Sequence, residues 1–402
     1  MSAIEEIRSC FPQLSRKVYG RPLVYLDNAA TSLRPDSVIK RWTEMSSYST
    51  ANLHRAVHHI AAEATEAYEN ARDAVAEFIN ASAREEVIFT SGATESLNFA
   101  AIGIGGAFIN EGDEIIVSEA EHHSDLVPWQ MLCNRRGARM VRFPVDDNGC
   151  LHPEKLRSLI TPRTKLVCVA HASNVLGIVN PLREFARICR QSGVMLLVDG
   201  AQGIVHQKLD VQETGCDFYV FSGHKMYGAP GTGVLWGRRE LLEAMPPVFG
   251  GGEMIEKVGW ESSEWAPLPR KFEAGTQDIS AVPCWIPAIR MTETMPQDDS
   301  VRDFVFSALQ TIPGLRLYGI PVDVKDKLPL FSFTVDGAHH EDLALILDKM
   351  GIAVRSGQMC AEPLMERFGV TGMLRASFAP YNTMQEAEYF LSSLRKAIMM
   401  LK

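Results

Sequence analysis

The sequence predicts a three-layer α/β/α domain on a mostly parallel sheet, followed by a smaller α+β domain. Two observations carry this prediction. Between residues 87 and 237, short apolar runs alternate with amphipathic stretches, as expected for strands buried on both faces and joined by helices. After about residue 280 the order changes to a helical stretch, then strand, helix, strand, strand and helix. The length of 402 residues fits two to three domains at roughly 150 residues each.

The elements follow in order. Residues 1–22, with Ile4, Ile7, Phe11 and Leu14, read as an amphipathic helix packing on the smaller domain. The large domain is expected over 23–285. Its strand runs are VIFT (87–90), EIIVS (114–118), ARMVRFPV (138–145), KLVCVAH (165–171), VMLLVDG (194–200), DFYVFSG (217–223) and GVLWG (233–237). A helix is expected over 181–191, with proline near its start and Gly193 just past its end. The small domain, 286–402, should hold a strand at 328–335, a helix at 340–350 and strands at 352–356 and 373–378. Its last helix begins at Thr383 with Glu386 three residues on, a capping box.

Composition excludes several classes. Hydrophobic residues make up 46% and charged residues 22%, ordinary for a globular protein and unlike disordered or collagen-like chains. A net charge of −9 argues against a nucleic-acid binder. No apolar run approaches the ~20 residues of a membrane span; the longest, 100–109, contains three glycines. The N-terminus (MSAIEEIRSCFPQ) has acids where a signal peptide has a basic region, so a cytoplasmic protein is expected. The eight cysteines (Cys10, Cys133, Cys150, Cys168, Cys189, Cys216, Cys284 and Cys360) form no C-x-x-C pair, so free thiols are expected, with no structural zinc.

Asp199 ends one strand run and Lys225 follows the next. Both therefore sit where open α/β sheets place their ligands. Gly200 and Gly223 flank them and allow close backbone approach. An acid and a lysine on neighbouring strand ends suit pyridoxal phosphate: the lysine condenses with the aldehyde, and the acid keeps the pyridine nitrogen protonated. A buried Asp–Lys ion pair is the plainer alternative. The segment Thr90-Ser91-Gly92-Ala93-Thr94-Glu95 links a strand to a helix and offers backbone N–H groups and the Thr94 hydroxyl to an anion. It could equally be a helix cap without a ligand. Glu121-His122-His123 follows another strand, where a histidine can stack on a planar cofactor or move protons. His54 and His58, at i and i+4, could share a helix face, but no third metal ligand stands at a usual spacing, so no metal site is expected.

These segments together resemble a known family. The chain is similar to group II cysteine desulfurases (the cysteine desulfurase/selenocysteine lyase group), in the class V aminotransferase branch of fold-type I pyridoxal-phosphate enzymes. The matching segments are YLDNAATS (25–32), NLHRAVH (52–58), FTSGATESLN (89–98), EAEHHSDLVPWQ (119–130), HASNVLGIVNPL (171–182), VDGAQG (198–203), DFYVFSGHKMYGAPGTGVLWG (217–237), FGGGEMI (249–255), FEAGT (272–276) and GIAVRSGQMC (351–360). They reach across nearly the whole chain, and the joint pattern is specific where no single segment is.

The resemblance implies roles. Lys225 would carry pyridoxal phosphate covalently and move the substrate α-proton. Asp199 would pair with the pyridine nitrogen, Gln202 with the phenolic oxygen, and His122 would stack on the ring. Ala93, Thr94, Ser222 and His224 would hold the phosphate, and Thr276 would reach the phosphate of a neighbouring subunit in a homodimer. Asn174 and Arg375 would bind the substrate carboxylate, with Arg355 beside the substrate and the cysteine loop. Cys360 would be the nucleophile, its thiolate favoured by Arg355. The implied reaction turns L-cysteine, or L-selenocysteine, into L-alanine. It leaves a persulfide on Cys360 for a small sulfur-acceptor protein. Two other readings compete: a class V C–S lyase or aminotransferase for which Cys360 is dispensable, and a binding protein that keeps the fold without turnover. Three positions depart from the family pattern. Gln358-Met359 stands where histidine often precedes the nucleophile, Gln277-Asp278 where Pro-Asn is common, and Ala56 where glycine is usual.

Overall fold

A computed structural model describes residues 3–54, 57–296 and 298–401, which leaves Ala56 outside the described residues. Seven strands form the main sheet: β1 (Val87–Thr90), β2 (Glu114–Ser118), β3 (Arg139–Phe143), β4 (Thr164–Ala170), β5 (Met195–Asp199), β6 (Phe218–Ser222) and β7 (Gly233–Gly237). Their spatial order is β1-β7-β6-β5-β4-β2-β3. Strands β2 to β6 pair in parallel, whereas β7 runs antiparallel to both neighbours. The connection 223–232 is too short for a crossover helix, so β7 has to return antiparallel. Strand β1, beyond it, again points the same way as β6.

The near-continuous apolar runs have a direct cause. Along β4, Val167 and Val169 belong to one buried cluster and Leu166 and Cys168 to another on the opposite face. Along β6, Tyr219 and Phe221 alternate with Phe218 and Val220 in the same way. Both faces are buried under helices, so no polar alternation survives.

A second sheet holds β8 (Leu315–Tyr318), β9 (Leu330–Val335), β10 (Arg355–Gly357) and β11 (Met373–Ser377), ordered β8-β9-β11-β10 and antiparallel throughout. Its third buried cluster draws on the helices Ser300–Gln310, His340–Lys349 and Met384–Leu401. The expected run 352–356 splits in two. Ile352–Ala353 pairs in parallel with Val24–Tyr25, and Arg355 then begins β10. At Thr383 the capping box closes both ways: Thr383 N–H donates to Glu386 Oε2 (3.1 Å) and Glu386 N–H to Thr383 Oγ1 (3.2 Å).

Two expectations need correction. The N-terminal segment is not one long helix: Ala3–Ser9 is helical, Pro12–Ser15 is a 3-10 turn, and 17–22 is a two-stranded hairpin. Proline at 12 lacks the N–H a continuing helix needs. Phe11 is buried against Tyr227 and Tyr381. His54 and His58 share no helix face, because His54 has φ +64° outside any helix and His58 caps the helix His59–Phe78.

One buried ion pair ties the first half of the chain to the segment before Thr276. Glu273 accepts from Arg72 Nη1 (2.7 Å), Arg72 Nη2 (2.8 Å) and Phe89 N–H (2.8 Å), while Arg72 Nη1 also donates to Val87 O (2.7 Å). Both side chains are almost fully buried. Arg72 also pairs with Glu69 (Nε to Oε2, 3.1 Å), so Glu273→Ala leaves the buried guanidinium underpaired, not alone, and is expected to cost about 3 kcal/mol, the low end for breaking a buried pair. Denaturant unfolding of the two proteins measures this, and an unchanged midpoint would mean the pair contributes nothing net.

Candidate active site

The C-terminal ends of β1, β2, β4, β5 and β6 lie along one edge of the main sheet, which is where the sequence places its chemistry. Gly233 in β7 pairs with both Thr90 and Ser222, bringing those two strand ends alongside each other. A Cβ on Gly233 would meet the Gly92 backbone at 2.4 Å, so only glycine lets the 90–94 turn pass over β7. That turn opens the helix Ala93–Phe108, whose N-terminus presents partial positive charge. Ala93 N–H donates to Ser222 Oγ at 2.7 Å, and the Thr94 and Ser124 hydroxyls are 2.7 Å apart. His224 adjoins Ser222. Burial, with Lys225 and Arg34 nearby, pulls its imidazole down to about 4, so it is neutral at pH 7.

Asp199 is buried at the end of β5 and accepts one bond, at Oδ1 from Ala201 N–H (2.9 Å). Burial pushes its carboxyl up, while Lys225 and that N–H pull it back. Among the described residues its Oδ2 accepts no hydrogen bond, and it forms no ion pair with Lys225. The plainer alternative, a closed Asp–Lys pair, is therefore not what the chain builds. Burial pulls the Lys225 ammonium below its usual range. Asp199 opposes this, Arg375 adds to it, and a Cys360 thiolate opposes it. Gln202 sits one turn on, donating Nε2–H to Ala29 O at 2.6 Å.

His122 caps the turn after β2, its Nδ1 accepting from Ser124 N–H at 3.1 Å. Burial first, then Lys225, His123 and Arg375, lower its pKa to about 4. The ring is neutral, and the bond at Nδ1 assigns its proton to Nε2.

The second sheet supplies the other wall. Arg375 on β11 is 2% exposed. Its Nη1 donates to Asn174 O (2.8 Å) and its Nη2 to Asp27 Oδ1 (3.3 Å), while its Nε is buried without a partner. Burial pulls this guanidinium down to about 10, with Asp27 opposing. Arg355 is not free to serve the cysteine loop alone: it grips Asp27 with Nε (3.0 and 3.2 Å) and Nη2 (2.8 Å). Asn174 donates Nδ2–H to Met359 O at 2.9 Å, so it touches the cysteine loop directly.

Cys360 is exposed, whereas the other seven thiols are buried or half-buried. Met359 and Cys360 both have left-handed backbones, φ +53° and +55°. Such conformations cost about 1–3 kcal/mol each and persist only when neighbours enforce them. Asn174 holds Met359 O, His123 N–H donates to Cys360 O (2.8 Å), and Glu362 N–H donates to His123 Nε2 (3.1 Å). The Met359 side chain is buried with Ala361, Leu364 and Phe368, which anchors the loop. Thr276 stands apart from this constellation, exposed on the surface. Gln277 and Asp278 close a local turn through Ala274 O and the Ser280 and Ala281 N–H groups.

Sequence reasoning missed Asp27 and Ser124, and it singled out His123 without foreseeing its hold on the Cys360 loop. Asp27 lay within the quoted YLDNAATS segment, but its role needs two arginines 328 and 348 residues away in the chain. Among the described residues no group of three or more His, Cys, Asp or Glu could hold a metal, and no helix is long and apolar enough to cross a membrane.

The residues fit a planar, phosphorylated, aldehyde-bearing cofactor. A lysine with a depressed pKa, a buried acid with a free oxygen, a neutral imidazole and a helix N-terminus with two hydroxyls stand around one sheet edge. The buried, unpartnered Arg375 Nε beside them fits a substrate carboxylate.

Comparison with known proteins agrees. The Aminotransferase class-V family matches residues 24–390. A probable cysteine desulfurase of Vibrio cholerae is 41% identical over 407 residues, covering 100% of both chains. A cysteine desulfurase of Cronobacter sakazakii is 42% identical over 399 residues, covering 98% of this chain and 97% of the relative. Among solved structures, the Escherichia coli cysteine desulfurase CsdA in its S-sulfonic acid form has a TM-score of 0.91 at 37% identity, covering 100% of both chains. The apo cysteine desulfurase of Thermococcus onnurineus has a TM-score of 0.94 at 36% identity, covering 100% of this chain and 99% of the other.

Proposed function

The chain belongs to the aminotransferase class-V family, and from that premise we propose that it is a pyridoxal-phosphate-dependent cysteine desulfurase. It converts L-cysteine to L-alanine and receives the sulfane sulfur on Cys360. One observation carries the reading. A half-buried lysine and a buried acid share a sheet edge without pairing, while an arginine fork on the second sheet and an exposed thiol in the loop after β10 act on that lysine.

Pyridoxal phosphate, when bound, supplies the electron sink that makes the substrate α-proton removable. Lys225 would hold it and carry that proton, its amine kept neutral more often by burial. Asp199 would hold a proton at the pyridine nitrogen, Gln202 would meet the phenolic oxygen, and the neutral His122 ring would offer a flat face. Ser222, Thr94 and His224 would grip the phosphate. Ala93 N–H is already engaged by Ser222 Oγ, so its contribution runs through that hydroxyl. Arg375 and Asn174 would orient the substrate carboxylate. The Cys360 thiolate attacks the substrate sulfur, a new S–S bond forms as the substrate C–S bond breaks, and a protonated carbon leaves as alanine. A thiol reductant or an acceptor thiol then regenerates Cys360.

Two assemblies extend the reading. Trp260 and Val57 are fully exposed, and Phe249, Val258 and Trp265 largely so, an apolar set that a second copy of the chain would cover. Thr276, on the surface, would then reach the second subunit's phosphate. A small sulfur-acceptor protein in the cytoplasm would approach Cys360. Beside that residue opens a cavity of about 500 Å³ lined by His123, Val127, Gln130, Gln358, Glu362 and Met365.

The test is product analysis with L-cysteine and a thiol reductant. Alanine and sulfide are expected in equal amounts, with no pyruvate. Pyruvate in place of alanine would mean a lyase, and no turnover of L-cysteine would end the assignment.

A further inference from the structure

Among the buried carboxyl groups that the chemistry above does not use, two flank the site's histidines. Glu121 is 2% exposed and Asp125 0%, and they bracket His122 on the turn after β2. Each has one settled oxygen. Glu121 Oε1 accepts Ala170 N–H (2.9 Å), and Asp125 Oδ1 accepts the Trp129 indole N–H (2.8 Å). Each also has one buried oxygen without a partner, Glu121 Oε2 and Asp125 Oδ2. The two side chains nevertheless interact directly.

Two ionised carboxylates cannot hydrogen-bond each other, because both only accept. Held together in a low-dielectric interior they repel, and each unmatched oxygen costs free energy. A single proton removes both defects: it makes one oxygen a donor and gives the other its bond. Neither acid is ion-paired to a lysine or arginine among the described residues. The other groups that act on them are the Asp199 carboxylate, the Ser118 and Trp129 donors and the Ala170 N–H. Cys168, on the adjacent strand β4, is kept protonated by burial and by the charge of this pair.

We propose that Glu121 and Asp125 share one proton in the folded protein at neutral pH, forming an acid–carboxylate brace that positions His122 and His123 and places one negative charge near Asp199. The energetics run the same way. Burial, together with Asp199, raises Glu121 to about 7 against the hydrogen bonds of Ser118, Ala170 and Asp125, which lower it, while burial, Glu121 and Asp199 raise Asp125 well above its ordinary range. Both acids are positioning residues. They act through the turn on which His122 takes its bond from Ser124 N–H and His123 holds the Cys360 loop. The inference stands apart from the assignment of activity.

Infrared spectroscopy of the purified full-length protein, loaded with pyridoxal phosphate and again stripped of it, tests the pairing. The wild type should show a protonated carboxyl C=O stretch at pH 7. Asp125→Asn should lose it, since an amide donates to Glu121 without a shared proton, and Glu121→Gln should lose it by the same logic. Stability against pH is the second readout. An acid pair with raised affinity binds one more proton folded than unfolded. From the ordinary carboxyl range near pH 4 up to about 7, the wild type should therefore lose about tenfold in folding constant per pH unit relative to Asp125→Asn. The buried His171 and the half-buried His122, His206 and His224, each lowered to about 4, impose the opposite slope on both proteins and cancel in the difference. An absent carboxyl band in the wild type at pH 7, or superimposable pH–stability curves for wild type and variant, would overturn the proposal.

Discussion

Lys225→Ala is expected to lower alanine formation from L-cysteine at least a thousandfold, equivalent to about 4 kcal/mol of transition-state stabilisation. Two functions are lost together, the covalent attachment of the cofactor and the proton carrier at the substrate α-carbon. Burial with Arg375 pulls the Lys225 ammonium down, so at neutral pH a larger fraction of this amine is unprotonated than of a surface lysine. Lys327, the one lysine that is fully buried among the described residues, donates to Leu176 O and Gly319 O (2.8 Å) and is engaged away from Asp199. Borohydride treatment followed by intact-mass measurement separates this role from a structural one. The wild type should gain the cofactor's mass and Lys225→Ala should not, while both keep the same melting behaviour after the cofactor is stripped. Mass gain in the variant would move the attachment point elsewhere and undo the assignment of Lys225.

How much of this was legible in the sequence depends on which residues act locally. Strand β4 could be read because Leu166 through Ala170 is buried on both faces, and a buried strand writes an uninterrupted apolar run. Asp199 and Lys225 could be read because strand ends carry ligands whatever the rest of the fold does. Strand β8 could not, since LRLY carries an arginine and alternates weakly at the sheet's edge. His54 and His58 misled because spacing alone cannot show that one of them has a left-handed backbone. Asp27 and the pairing of Glu121 with Asp125 were out of reach for a different reason. Their meaning lies in what the fold brings to them: two arginines from β10 and β11 in one case, the end of β4 and an indole in the other.

Replacing Cys360 by alanine should separate two halves of the reaction that Lys225→Ala removes together. The loop offers its thiol from a backbone that is unfavourable at two successive residues, and three hydrogen bonds with the buried Met359 side chain keep it there. A conformation maintained against its own cost points to a requirement for the thiol's position, not merely its presence. None of the four restraints involves the Cys360 side chain, so Cys360→Ala should leave the loop in place. The variant should still bind L-cysteine through Arg375 and still exchange the substrate α-proton with deuterium from solvent, because Lys225 and Asp199 are untouched. Alanine release should nevertheless fall by about a hundredfold or more, the scale of losing a positioned nucleophile. Retained exchange with lost alanine assigns Cys360 to sulfur transfer and nothing earlier. Undiminished alanine release would remove it as the nucleophile and leave the strained loop without its explanation. Loss of both signals would place Cys360 in substrate binding, through the charge by which its thiolate opposes the burial of Lys225 and Arg375.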